Sequence, residues 1–203
     1  MPARSIPAPH LTNPFATRHT RPGRLPPLDE TGRPRDVPAL VATLAGLPAA
    51  AIVGPHGTGK STLLRAVELE LAAAGRSAGI VQLRQRSDLL TALAMLWRAG
   101  HGSVLGVDGW ERLGRTAAAA VRLLASARGV RLLVTTHRPA WMPTVASTAA
   151  SLSLLEAVVA RLPDHGGLVG ADDLAETFAR HAGNLREALA ELYDRFEHRA
   201  RRS

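Results

Sequence analysis

Cysteine is absent from the 203 residues, which excludes disulfides and thiolate–metal centres. No apolar run reaches the ~18–20 residues that would cross a bilayer. The opening residues, MPARSIPAPHLTNPF, contain no apolar signal core. A cytoplasmic protein without a membrane partner is the expectation. Aromatic residues make up only 3% of the chain, so its core must be built mainly from Ala, Leu and Val. The hydrophobic share of 46% suffices for such a core, and the length fits one compact domain with at most a small appendage. Lysine is scarcest of the charged residues. Of 25 lysines and arginines, Lys60 is the only lysine.

Ala, Arg, Gly and Pro are abundant while Lys, Asn, Tyr and Phe are rare. That skew fits a GC-rich coding background, which replaces lysine by arginine wherever either serves. Lys60 therefore marks a position where arginine does not serve. The formal charge of +8 has two readings. One is attraction to nucleic acid or another polyanion. The other is arginine usage spread over a whole surface, since the arginines cluster only in RHTRPGR (18–24) and RARRS (199–203).

Residues 1–36 carry eight prolines and no apolar periodicity, which predicts an extended Pro/Arg-rich arm, partly disordered. Beyond it, strand and helix patterns alternate. VPALVATLAGL (37–47) reads as a short helix and AAAIV (49–53) as a buried strand. KSTLLRAVELELAAAG (60–75) has helical apolar spacing and stops at Gly75. AGIVQL (78–83), SVLGV (103–107), VRLLVTT (130–136) and ASLSL (150–154) read as further strands. SDLLTALAMLWRAG (87–100), with Ser87 as N-cap, GRTAAAAVRLLASARG (114–129) and LEAVVARL (155–162) read as helices. This alternation predicts an α/β fold with a parallel sheet covered on both faces. The tail, GADDLAETFARHAG (170–183) and NLREALAELYDRFEHRARR (184–202), is two helices with no strand between them. The expected division is an arm at 1–36, a core at 37–162 and a helical tail at 163–203.

Between the first strand and the next helix stands GPHGTGKS. Gly54, Gly59, Lys60 and Ser61 fit G-x-x-x-x-G-K-[ST], with Pro55, His56, Gly57 and Thr58 between them. Such a loop turns its backbone N–H groups inward onto phosphate oxygens, and the following helix adds its positive end. Lys60 must reach the β- and γ-phosphates as a compact point charge, where a planar guanidinium is bulkier and forks the wrong way. Ser61 gives its hydroxyl to Mg²⁺, and Thr62 is a further phosphate-contacting candidate. A guanine signature, [NT]-K-x-D, is excluded because the one lysine lies in the loop.

An acid is needed to hold the magnesium shell, and Asp108 ends the apolar strand of SVLGVDGWERL. The residue after it is Gly109, where a common ATPase places a glutamate to polarise the attacking water. Glu111 is the nearest carboxylate. It shares the side of Asp108 if a turn begins there, and is otherwise a solvated helix residue. The strand of LLVTTHRP ends in Thr135, Thr136 and His137, which offers a hydrogen-bonding group near the γ-phosphate if it lies between the loop strand and the Asp108 strand.

Taken together these motifs resemble the AAA+ family of P-loop ATPases, in particular small bacterial AAA-type ATPases. GPHGTGKST resembles its Walker A and VLGVD its Walker B, with Gly109 where the catalytic glutamate is expected. LLVTT is placed like its sensor-1 strand, and FARHAGNLREALAEL (178–192) is similar to its sensor-2 segment. NPF (13–15) is similar to a segment that lies near the adenine in some of these proteins. The resemblance implies a sheet order of 5-1-4-3-2, a C-terminal helical lid, and ATP with Mg²⁺ as cofactors. Lys60, Ser61 and Asp108 would hold phosphate and metal. Thr135 or Thr136 would orient the γ-phosphate, with Thr136 as the catalytic candidate, and Arg186 would sense it. Weak ATP hydrolysis is the leading expectation. A nucleotide-dependent switch with little turnover, binding a protein, a second copy or DNA, is the second, and a small-molecule kinase the third.

Overall fold

The computed structural model describes residues 12–85 and 87–202. Short apolar runs become the strands of one five-stranded parallel sheet, whose three central strands are largely buried. They are β1 (Ala49–Val53), β2 (Ala78–Gln82), β3 (Val104–Asp108), β4 (Arg131–Thr136) and β5 (Thr144–Ser147), in the order β2-β3-β4-β1-β5. This is the expected order read from the other edge. Register pairs Val53 with Thr136 and Gln82 with Asp108, so the carboxyl ends of the strands form one rim. In open parallel sheets that rim is where ligands bind.

Eight helices complete the described chain: α1 (Thr17–Thr20), α2 (Val37–Ala45), α3 (Lys60–Ala73), α4 (Asp88–Arg98), α5 (Arg115–Ala127), α6 (Leu152–Val159), α7 (Ala171–Arg180) and α8 (Leu185–Ala200). Strand side chains alternate between two cores, as the pleat requires. Ala50, Ile52, Val104 and Leu133 meet Leu63, Leu64 and Val67 of α3. Ala51, Val107, Leu132 and Val134 meet Ala92 and Leu96 of α4 and Val121 and Ala125 of α5. None of the helices among the described residues is long and apolar enough to cross a membrane.

A third core lies under the tail. Leu154, Leu155 and Val159 of α6 pack there with Leu174 of α7 and with Leu185, Ala188, Leu192 and Phe196 of α8. Polar ties supplement it: Asp173 of α7 pairs with Arg195 at 2.8 Å and Arg199 at 2.6 Å on α8. Gly183 takes the left-handed conformation (φ +80°) and the Asn184 side chain accepts from the Arg186 N–H, so the turn between α7 and α8 is capped.

One expectation changes and two gain detail. The last strand is residues 144–147, not 150–154, and α6 begins at Leu152. ASLSL alternates like a strand, but the Ser151 hydroxyl accepts the Leu154 N–H and starts a helix. Ser87 stands at the N-cap of α4 as expected, but its side chain makes no capping hydrogen bond; the Asp88 carboxylate accepts the N–H groups of Arg84 (2.7 Å) and Gln85 (2.9 Å). Within the arm, residues 1–11 lie outside the described residues; Asn13–Phe15 and Leu28 are buried, and most of residues 17–26 are exposed. Phe15 and Leu28 are buried in the tail's core, and the Asn13 amide donates to Tyr193 O (3.1 Å) and Glu197 Oε1 (2.9 Å). Two isolated apolar anchors suffice here, and they carry no periodicity for a sequence reading to find.

Candidate functional site

The strand β1 ends at Val53, and the chain loops through residues 54–59 before Lys60 opens α3. Gly59 caps α3 with φ +90°, which only glycine adopts without strain. Gly57 has φ +71°, and a side chain there would collide with Asn184 at the start of α8. The loop and the helical tail are therefore in close contact. Thr58 is buried and braces the loop, its hydroxyl 2.9 Å from Pro55 O and 2.7 Å from Thr148 Oγ1.

Lys60 is 8% exposed. Its ammonium donates to Gly54 O (2.6 Å) and Pro55 O (2.5 Å), and lies 3.3 Å from His137 Nδ1. Desolvation holds its pKa below the ordinary lysine value, against the pull of Glu111 and Asp108. Next to it, Ser61 Oγ lies 2.9 and 3.1 Å from the two oxygens of Asp108. Thr135, 1% exposed, donates to Asp108 Oδ1 at 2.5 Å and accepts from the Gly109 N–H at 2.9 Å. A hydroxyl and a carboxylate at a strand rim form a hard-oxygen donor pair. That suits Mg²⁺, which takes one or two carboxylates and completes its shell with water and phosphate.

Thr136 is not part of this group. It shares the face of Val134, and its hydroxyl donates to Arg138 O at 3.0 Å. The threonine that reaches Asp108 is Thr135. Gly109 (φ +89°) starts a single 3-10 turn, Trp110–Arg112, and the buried Trp110 anchors it. That turn brings Glu111 into the site, its Oε1 2.8 Å from His137 Nε2. His56, from the loop, lies against His137 with ring centroids 3.6 Å apart. Its pKa is lowered, through desolvation first and then through His137 and Lys60.

These groups face a cleft of about 930 Å³ between the sheet rim, the tail and residues 15–35. His56, Gly57, Thr58, Gly59, Lys60, Ser61 and Thr62 line it, with Asp108, Glu111, Thr135, His137 and Arg186. Gly54 and Pro55 contribute the carbonyls that hold Lys60. Elsewhere the lining is part apolar, through Pro22, Leu25, Leu28, Leu154, Val158 and Leu189, and part polar, through Thr17, Arg21 and Arg35. Phe15 of NPF also lines the cleft, while Asn13 is committed to α8. Such a cleft has a cationic, N–H-rich end at the loop and an apolar portion away from it. The sequence places His137 at a polar strand end, but its partners Glu111, His56 and Lys60 lie elsewhere in the chain, and nothing beside it signals them.

No family model matches the chain, and no curated protein matches it. Solved structures do. Two structures of RuvB variants from Thermotoga maritima align with TM-score 0.52 at 17% and 18% identity, covering 76% of this chain. The aligned region spans 57% of the RuvB chains. PCH-2 of C. elegans aligns over 80% of this chain and 67% of its own, at 10% identity and TM-score 0.42. At these identities the likeness is one of fold, and the chain has an AAA+-like P-loop NTPase fold.

Proposed function

We propose that this chain uses its P-loop fold to bind ATP with Mg²⁺ and to hydrolyse it slowly. The observation that carries the reading is the convergence of Lys60, Ser61, Asp108 and Thr135 at the rim, beside a glycine loop that opens a helix. Bound Mg²⁺ would supply charge neutralisation at the phosphates. Ser61 and Asp108 hold the metal, and Thr135 fixes the Asp108 carboxylate. Lys60 leaves two carbonyls for the β- and γ-phosphates. The loop N–H groups and the α3 dipole hold the remaining oxygens. The apolar portion receives the base.

Residues 163–203 act in this reading as a lid over a core at 37–162. Arg186 sits in the first turn of α8 and lines the cleft, and its charge is felt at Lys60. A cation at a helix start gains nothing from the dipole, so an anion in the cleft is a physical reason for it. A slow switch that reports ATP to a protein or nucleic-acid partner is the second reading. It is favoured by Gly109, which leaves no carboxylate directly after Asp108.

Calorimetric titration with Mg-ATP tests the proposal. Lys60→Ala should abolish binding and Lys60→Arg should weaken it severely, because arginine keeps the charge but not the shape. Unchanged affinity in Lys60→Ala would refute nucleotide binding at this loop.

A further inference from the structure

His137 has no role in the reading above, yet both of its ring nitrogens are aimed. Nε2 lies 2.8 Å from Glu111 Oε1, and Nδ1 lies 3.3 Å from Lys60 Nζ and 3.2 Å from Gly54 O. An ionised carboxylate only accepts, so Nε2 carries the hydrogen and Nδ1 carries the lone pair in the neutral ring. The lysine ammonium has three hydrogens. Two go to Gly54 O and Pro55 O, and the third meets the Nδ1 lone pair. This tautomer satisfies Glu111 and Lys60, while Gly54 O, 3.2 Å from Nδ1, takes its hydrogen from Lys60. The opposite tautomer donates to Gly54 O but sets the Nε2 lone pair against the Glu111 carboxylate. The ring is held on its face by His56. Glu111, three positions beyond Asp108, has reached an imidazole and is spent on it.

A carboxylate that fixes an imidazole with its free nitrogen turned to a reacting site is the arrangement of an oriented general base. Resting on the reading of the cleft as an ATP-hydrolysing site, we propose that the proton acceptor for the attacking water is His137, with Glu111 as its positioning carboxylate. The water oxygen forms a bond to the γ-phosphorus. The bond from that phosphorus to the β–γ bridging oxygen breaks, and ADP leaves with the electron pair. The water proton passes to His137 Nδ1, Glu111 stabilises the imidazolium, and the proton then goes to the released phosphate. The contact between Lys60 and Nδ1 makes the base conditional. When Lys60 turns to a phosphate, the lone pair is released toward the same phosphate.

The first test needs no turnover. Nitrogen-15 NMR of the nucleotide-free chain should find neutral His137 as the Nε2–H tautomer, and Glu111→Gln should erode that preference. An Nδ1–H tautomer would overturn the proposal. In phosphate-release assays, His137→Ala should lose ~10²–10⁴-fold in kcat with ATP affinity retained, and added imidazole should restore part of it. His137→Gln, which keeps a hydrogen bond to Glu111 but has no basic nitrogen, should bind ATP and fail to hydrolyse it, which guards against a folding defect. Glu111→Gln should lose less than either. Normal turnover in His137→Gln would overturn the proposal. So would complete loss in Glu111→Gln without imidazole rescue of His137→Ala, or a wild-type chain that binds ATP and releases no phosphate. Calorimetry separates these from failure of the function reading itself, in which the wild-type chain binds no ATP.

Discussion

Replacing Gly109 by glutamate would install the carboxylate that the family pattern places after Asp108, and the structure says that it will not work. Gly109 has φ +89°. A side chain in the left-handed region costs ~1–2 kcal/mol. A Cβ there would also stand 3.1 Å from Leu83 O. That carbonyl has little freedom, because the Leu83 N–H is bonded to Asp108 O at 2.8 Å. The two effects together should destabilise the chain by about 2–3 kcal/mol, out of a typical ~5–15 kcal/mol. The new Cβ would lie 3.6–3.7 Å from the Arg112 side chain, so the carboxylate is drawn to that guanidinium. Urea unfolding and phosphate release should be measured for Gly109→Glu beside Gly109→Ala. Both should lose stability by a similar amount, and neither should turn over faster. A Gly109→Glu chain as stable as wild type with increased hydrolysis would refute the claim that this glycine is there for its backbone.

Thr135→Val should cost ~1–3 kcal/mol, since it leaves the Gly109 N–H without its acceptor and frees Asp108. It should also weaken Mg²⁺-dependent nucleotide binding more than binding without Mg²⁺, measured by unfolding and calorimetry. The Asp173 carboxyl is held well below the usual range, chiefly by its hydrogen bond to Arg199. A depressed acid contributes its stability above the unfolded value of ~3.9 and loses it as pH falls through and below that value. The helical tail should therefore loosen below about pH 4, and Asp173→Asn should be less stable at neutral pH and flatter in an acid titration. ATP should protect residues 178–192 from hydrogen exchange more than ADP does, and Arg186→Ala should remove the difference; equal protection by both nucleotides would make the tail a passive cover.

Local regularity made most of the fold legible. β1, the loop and α3 were legible because a buried strand, a glycine cradle and a 3.6-residue apolar stripe are each written in consecutive residues. The sheet order came with the resemblance those motifs carry. The Ser61–Asp108 pair followed from chemistry: a hydroxyl after the lysine and an acid at a strand end. Thr135 and Thr136 could not be separated, because parity along β4 decides which faces α3, and a one-residue slip reverses it. Leu133 faces the α2–α3 core, so Thr135 does too. Glu111 depended on a left-handed glycine whose φ no composition reveals. His137 depended on Glu111 beyond β3 and on His56 and Lys60 beyond β1, and Phe15 on a core assembled from the far end of the chain.

The bonds from Asn13 to Tyr193 and Glu197 join residues 180 and 184 positions apart. During synthesis at ~5–20 residues per second, Asn13 emerges roughly 10–40 s before its partners. The two sheet cores can close in that interval, because their strands and helices lie in the stretch between. Phe15 has no slot until Phe196 arrives beside it, at 6.4 Å between ring centroids. The apolar portion of the cleft is therefore the last part to be built, and a nascent chain with a finished glycine loop still lacks a complete pocket. Among the described residues, the closing step joins Asn13 and Phe15 to α8.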